Sequence, residues 1–187
     1  MPDKIRIYLD NCVYNRPFDD QTQIKVALEA DAKRYIQRLI IDKKIELAYS
    51  FVNRFENSKS PYPHNQKSIV AFFVNATVYI DHTYGTAVRQ RAEEMIKTGV
   101  KTKDAYHVAC AIESKSRYLI TTDKRLLKYQ TQDIIICNDD VSSNLSPDCL
   151  IVETPLFQAQ AGSPKSRDGT KSELVGHSCR AQDLYHV

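Results

Sequence analysis

The chain reads as an α/β fold, a parallel sheet covered by helices on both faces. Two observations predict it: short apolar runs at 5–9, 45–49, 117–121 and 133–137, and the longer helical-period segments that separate them. Residues 5–9, IRIYL, form a short strand ending at Asp10. The segment NRPFDDQTQ reads as a loop in which Pro17 bars regular structure. Residues 23–43 carry Ile24, Leu28, Tyr35, Ile36, Leu39 and Ile40 at helical spacing. IELAY (45–49) is a second strand, and Ser50 is placed to cap a helix running through Phe51, Phe55 and Glu56. Pro61 and Pro63 end that helix, and a further helix spans 65–75. Residues 86–98 make the next one, stopped by Gly99 in the left-handed position. Thr102 caps KDAYHVACAIESK, where Ala105, Val108, Ala109 and Ile112 share a stripe. RYLIT (117–121) is a strand, DKRLLKY a short helix and DIIIC (133–137) a closing strand.

Composition excludes several classes. The chain has 187 residues, which suits one full-sized domain; we place it at 1–157, with 158–187 as a flexible or weakly structured tail, since the other three glycines gather there without an apolar period. A hydrophobic content of 42% and a charged content of 26% are those of a globular protein, and no apolar run approaches the length of a membrane span. The N-terminus turns charged too early for a signal peptide, so a cytoplasmic protein is expected. Five cysteines, never in CxxC spacing, read as reduced thiols and not as zinc ligands. A net charge of +3 is too small to imply nucleic acid, so any affinity for phosphate must come from local patches.

Four carboxylates are candidates for one site. Asp10 and Asp123 each follow a strand, and in open α/β sheets ligands bind beyond the carboxyl ends of the strands. Asp104 falls in the first turn of a helix, and Glu56 lies one turn past Val52 on the helix that leaves the second strand. Each has an ordinary alternative: Asp123 as a helix cap, Asp104 as a dipole-complementing surface residue, Asp10 as a turn former, Glu56 as a solvated helix residue. Glu46 competes with Glu56, but on its strand a cross-strand ion pair is the simpler role. Four acids at one rim would repel without a cation, and hard oxygen ligands suit Mg²⁺ or Mn²⁺.

The segments IYLDNCVYNRPFDD, YSFVNRFEN and GVKTKDAYHVACAIESKSRYLITTDKRLLKY resemble the PIN domain, the nuclease fold of the virulence-associated protein C toxins. The resemblance runs over roughly 1–157 and is most specific in KDAYHVACAI and LITTDKRLL. It implies a three-layer α/β/α fold with a central, mostly parallel sheet, and a catalytic, metal-binding quartet at Asp10, Glu56, Asp104 and Asp123. It further implies Asn11 and Thr122 as polar neighbours that orient ligands or substrate, RNA as substrate, a homodimer, and a cognate antitoxin. After Cys137 the chain departs from the family pattern.

Beside the acids, Lys101, Lys103, Lys124 and Arg125 suit contacts to an RNA backbone, and Arg16 is a further phosphate contact, although such charges are usually a solvated face. His107, one turn after Asp104, reads as a hydrogen-bonded residue beneath the site, His64 as an exposed loop residue and Cys110 as core. The expectation is a metal-dependent endoribonuclease. Its rivals are a PIN-like module that holds RNA or protein without cutting, and a receiver-like domain, which needs an acidic pair after the first strand and an Asp after a central strand, whereas YLDN supplies one acid and ELAYS has no Asp.

Overall fold

The computed structural model describes residues 4–138. Five strands form one sheet: β1 (Arg6–Leu9), β2 (Glu46–Ser50), β3 (Val78–Ile80), β4 (Tyr118–Ile120) and β5 (Ile135–Cys137). Every pairing is parallel and the order is β3-β2-β1-β4-β5. The chain therefore builds outward from β1 to one side, then returns to build on the other, and β1 and β4 flank the point where the order reverses. That is where an open parallel sheet leaves a crevice at its carboxyl edge.

Among the described residues six α-helices flank it: α1 (Asn11–Asn15), α2 (Ile24–Ile41), α3 (Phe51–Ser58), α4 (Pro63–Phe72), α5 (Gly85–Lys97) and α6 (Thr102–Glu113). Alternation along β1 separates the layers, because successive strand residues point to opposite faces. Ile7 and Leu9 enter a core with Val13 of α1, Ile36 and Leu39 of α2 and Ile69 of α4. Tyr8, between them, bonds His107 of α6 on the other face. There α6 packs on α5 and against β2 and β4, with Ala105, Val108 and Ala109 fully buried. Such small residues let the helix lie close on the sheet.

Several expectations are corrected by local physics. Residues 19–23 of NRPFDDQTQ are a loop as expected, but its start is not: α1 ends at Asn15 and is followed by a 3-10 turn, Arg16–Phe18, which Pro17 enters at its start, where a missing N–H costs nothing. Only part of the apolar set on α2 faces the core. Ile24, Leu28 and Tyr35 are exposed, whereas Lys33 is buried beside Ile36, Leu39 and Ile40. The fourth helix begins at Pro63, so His64 is exposed but helical, and residues 73–75 tighten into a 3-10 turn. β3 is a strand that the periodicity does not predict. Lys101, not Thr102, caps α6, and DKRLLKY yields only a 3-10 turn, Leu126–Lys128. Ser50 caps α3 as expected, within a reciprocal capping box with Asn53, and Gly99 takes φ +95° after α5. Glu46 pairs with Arg6 across β1 and β2 at 2.8 Å. Cys110 is buried and, with Cys12, is a free thiol; Cys149, Cys179 and the boundary near Phe157 lie outside the described residues. Among the described residues no helix is long and apolar enough to cross a membrane.

Candidate metal centre

Asp10 is fixed first by its backbone. Its N–H donates to the Ile120 carbonyl at 3.0 Å, which seats it at the carboxyl edge between β1 and β4. Its Oδ2 then accepts from the hydroxyl of Thr121 at 2.7 Å and from the Cys12 thiol at 3.2 Å. Burial, and next the charge of Asp10, push that thiol up to about 12, so it stays protonated and donates. Thr121 also accepts from the Asp123 N–H at 3.1 Å, tying the turn after β4 to Asp10.

Glu56 comes to the same rim on α3. The anchor of that helix is Asn53, fully buried, which donates to the Leu9 carbonyl at 3.1 Å and to Asn11 Oδ1 at 3.0 Å. Asn11 is thus engaged in joining α1 to α3, and its amide returns to the Asn53 carbonyl at 3.3 Å.

His107 lies between the two acids. Its Nε2 is 3.3 Å from Glu56 Oε2 and 3.6 Å from Asp10 Oδ1. Its Nδ1 meets the Tyr8 hydroxyl at 3.0 Å, and that hydroxyl meets Ser50 at 2.6 Å. One ligand atom from each of Asp10, Glu56 and His107 lies within 4.8 Å of the others. Burial opposes a charged His107, yet Asp10, Glu56 and Asp104 outweigh it and raise its pKa. Glu56 is the converse: burial opposes its charge, but His107 and Lys103 hold its carboxyl below the usual range.

Asp104 and Asp123 complete the rim at greater reach, outside the group formed by Asp10, Glu56 and His107. Burial, then the negative charges of Asp123 and Asp10, raise the Asp104 pKa, against Arg125 and His107. Asp123 is held low by Arg125, which bonds it through its guanidinium at 3.1 Å and its backbone N–H at 2.7 Å. Asp123 and Asp10 therefore act on Asp104 across one edge, and Glu56 joins Asp10 there through His107. A hard divalent cation fits that donor set, because carboxylate oxygens gather there and the Asp104 carboxyl is pushed toward its neutral form by burial and then by the charges of Asp123 and Asp10.

The basic residues divide. Lys103 reaches Glu56 at 3.6 Å and Arg125 pairs with Asp123, whereas Lys101 and Lys124 are exposed. Arg16 is fully engaged: Glu29 at 2.7 Å, Asp19 at 2.9 Å and the Thr122 hydroxyl at 2.9 Å. Thr122 thus meets Arg16, and the threonine that reaches Asp10 is its neighbour, Thr121. Sequence reasoning misses Thr121, Tyr8 and Asn53. The second threonine in TTD is the available signal for the first; nothing local marks the other two. Two clefts open from the acids. One of about 790 Å³ includes Glu56, Lys103, Lys59, Phe18 and Tyr62, and one of about 290 Å³ includes Asp104, Lys101, Arg125 and Lys128.

No protein-family model matches the chain, and no curated protein does. Among solved structures, a chain of VapBC2 from Rickettsia felis, crystallised bound to a DNA fragment from their promoter, is similar at 18% identity, with a TM-score of 0.45, over 72% of this chain and 98% of that one.

Proposed function

We propose that the chain is a metal-dependent endoribonuclease that hydrolyses RNA phosphodiester bonds. One observation carries the reading: Asp10 and Glu56 converge at the β1/β4 crevice, and Asp104 is close enough to feel the charges of Asp10 and Asp123. The KDAYHVACAI and LITTDKRLL blocks support it from the sequence. Asp10, Glu56, Asp104 and Asp123 would hold Mg²⁺ or Mn²⁺. That ion, when bound, would lower the pKa of a water and offset charge in the transition state. Thr121 orients Asp10, and His107 holds Glu56 and Asp10 together by facing both. Lys103 lines one cleft and Lys101 and Arg125 the other, and with Lys124 they would grip the phosphate backbone. Arg16 acts through Thr122, and Asn11 through Asn53. The finer form of the proposal is the toxin of a toxin–antitoxin pair, acting as a homodimer and blocked by its antitoxin.

A second reading has an observation in its favour. Glu56 and Asp123 already face cations of the chain itself, Lys103 and Arg125, as a non-catalytic RNA- or protein-binding module would allow. The test is cleavage of mixed RNAs with Mg²⁺, with and without EDTA, for the wild type and Asp10→Asn. Cleavage that EDTA and Asp10→Asn both abolish supports the nuclease. RNA binding without cleavage in either protein selects the module. Growth arrest on expression, relieved by Asp10→Asn, supports the toxin.

A further inference from the structure

His107 lies one turn past Asp104 on α6, is 2% exposed, and turns a single ring nitrogen toward Asp10 and Glu56. A chain of hydrogen bonds running away from those acids fixes what that nitrogen offers. It ends at Asn53, whose Nδ2 donates to the Leu9 carbonyl at 3.1 Å; a carbonyl only accepts, so the other amide atom is the oxygen. Asn53 Oδ1 accepts from the Ser50 N–H at 3.0 Å and, having no proton of its own, from the Ser50 hydroxyl at 3.3 Å. The Ser50 oxygen then accepts from the Tyr8 hydroxyl at 2.6 Å, and the Tyr8 oxygen accepts from Nδ1–H of His107 at 3.0 Å. With Nδ1 protonated, a neutral His107 carries its lone pair on Nε2.

Among the described residues that lone pair meets acceptors alone, Glu56 Oε2 at 3.3 Å and Asp10 Oδ1 at 3.6 Å. The three must share a cation, and the lengths separate a proton from a metal. Imidazolium–carboxylate bonds close to about 2.7–2.9 Å, shorter than both. Two ligands with bonds of about 2.1 Å at the tetrahedral angle lie about 3.4 Å apart, and the observed pairs bracket that spacing. The far oxygens are already engaged: Asp10 Oδ2 accepts from Thr121 and Cys12, and Glu56 Oε1 faces Lys103. Tying down the outer atom of each ligand, as Tyr8 ties Nδ1, is how proteins orient the ligands of a metal. Mg²⁺ takes oxygen and keeps its waters, whereas imidazole suits first-row transition ions. We propose that Asp10 Oδ1, Glu56 Oε2 and His107 Nε2 bind one divalent ion directly, and that the nitrogen makes this site prefer a transition-metal ion, Mn²⁺ among them, to Mg²⁺. A proton held on Nε2 leaves to solvent as the ion binds. The inference rests on the reading of this rim as the nuclease's metal centre and adds His107 to its ligands.

The experiment is electron spin-echo spectroscopy of Mn²⁺ bound to the full chain without RNA, with Mn²⁺ and Mg²⁺ affinities taken from the free-Mn²⁺ resonance in competition. The wild type is expected to show coupling to a directly bound nitrogen and to hold Mn²⁺ at least about tenfold tighter than Mg²⁺. His107→Gln, with an intact unfolding transition, should lose the nitrogen coupling and lower that preference at least about threefold. No Mn²⁺ binding, bound Mn²⁺ without nitrogen coupling, coupling that persists in His107→Gln, or an unchanged preference in that variant would each overturn the proposal. Should His107→Gln fail to fold, His64→Gln, His82→Gln, His177→Gln and His186→Gln together leave His107 as the one histidine. The coupling must persist in that chain, and its loss overturns the proposal equally. RNA cleavage by the same samples separates this inference from the nuclease reading. Nitrogen coupling without cleavage upholds the ligand and sinks the nuclease, whereas Mg²⁺-dependent cleavage without coupling does the reverse.

Discussion

Asp104 carries a raised pKa from burial and from the charges of Asp123 and Asp10, which fixes the sign of its effect on stability. The folded chain holds that proton more tightly than the unfolded one. Stability from this group is therefore full below the ordinary Asp range and declines as pH rises through the folded value. Asp104→Asn does not titrate, so without metal its melting temperature should match or exceed the wild type at pH 7, with the gap narrowing toward pH 4. Its Mg²⁺-dependent cleavage should fall at least about a hundredfold, the scale of removing one electrostatic stabiliser of a transition state. Thr121→Val keeps the shape but removes the hydroxyl that donates to Asp10 and accepts from Asp123. Urea unfolding should register a loss of about 1–2 kcal/mol, with cleavage down roughly tenfold to a hundredfold. Lys33 has the opposite linkage. Its folded pKa of about 8 lies below the ordinary 10.5, so the unfolded chain binds more protons between those values and wild-type stability rises with pH there. Lys33→Met should be more stable than wild type by about 1–3 kcal/mol at pH 7, and the difference should close as pH passes from about 8 to 10.5. A pH-independent difference would show that burial of the charge is not its cause.

Among the helices and strands, α3 is the piece on which the candidate site depends, and Asn53 fastens it. That one side chain accepts from the Ser50 N–H at 3.0 Å, completing the capping box, and donates to Leu9 and Asn11. Asn53→Ala leaves those groups without partners in a buried place, so a loss of about 2–3 kcal/mol is expected, more than an exposed cap is worth. Glu56 lies on the same helix, so cleavage should suffer beyond what the stability loss explains. Unfolding midpoints and single-turnover rates on the same samples separate the two. β3 shows the reverse dependence: three residues with little periodicity become a strand because Ser50, Tyr49 and Ala48 offer them an open edge of β2.

Across the molecule, charge is arranged locally and not in sum. A net +3 says little, but Lys101, Lys103, Lys124 and Arg125 surround acids at one rim. Lys103 and Arg125 are already paired with Glu56 and Asp123, while Lys101 and Lys124 make no ion pair among the described residues. Changing all four to Ala should weaken RNA binding and lower its log–log salt slope by at most about 0.7 for each single-strand phosphate that is no longer neutralised. An unchanged slope would move the substrate path to the cleft that holds Lys59, Phe18 and Tyr62.

The alternation of strand and helix, the placing of Asp10 and Asp123 after strands, the Ser50 cap and the Gly99 stop are all legible in the amino-acid order. Each of these rests on neighbours a few residues away. Helical period, capping and left-handed backbone are local properties, so local pattern reveals them. Folding in three dimensions settles the rest: which face of α2 is buried, that Lys33 and not Ile24 or Leu28 turns inward, and that β3 exists. It also settles that Thr121 and not Thr122 meets Asp10, that Arg16 is bound up by Glu29, and that His107 stands between Asp10 and Glu56. The pairs Arg16–Glu29 and Asp10–Thr121 lie 13 and 111 positions apart, and no local preference of either partner announces the other. A parallel sheet forces this, because its strands meet only after a crossover connection, and its carboxyl edge collects residues that the sequence keeps far apart.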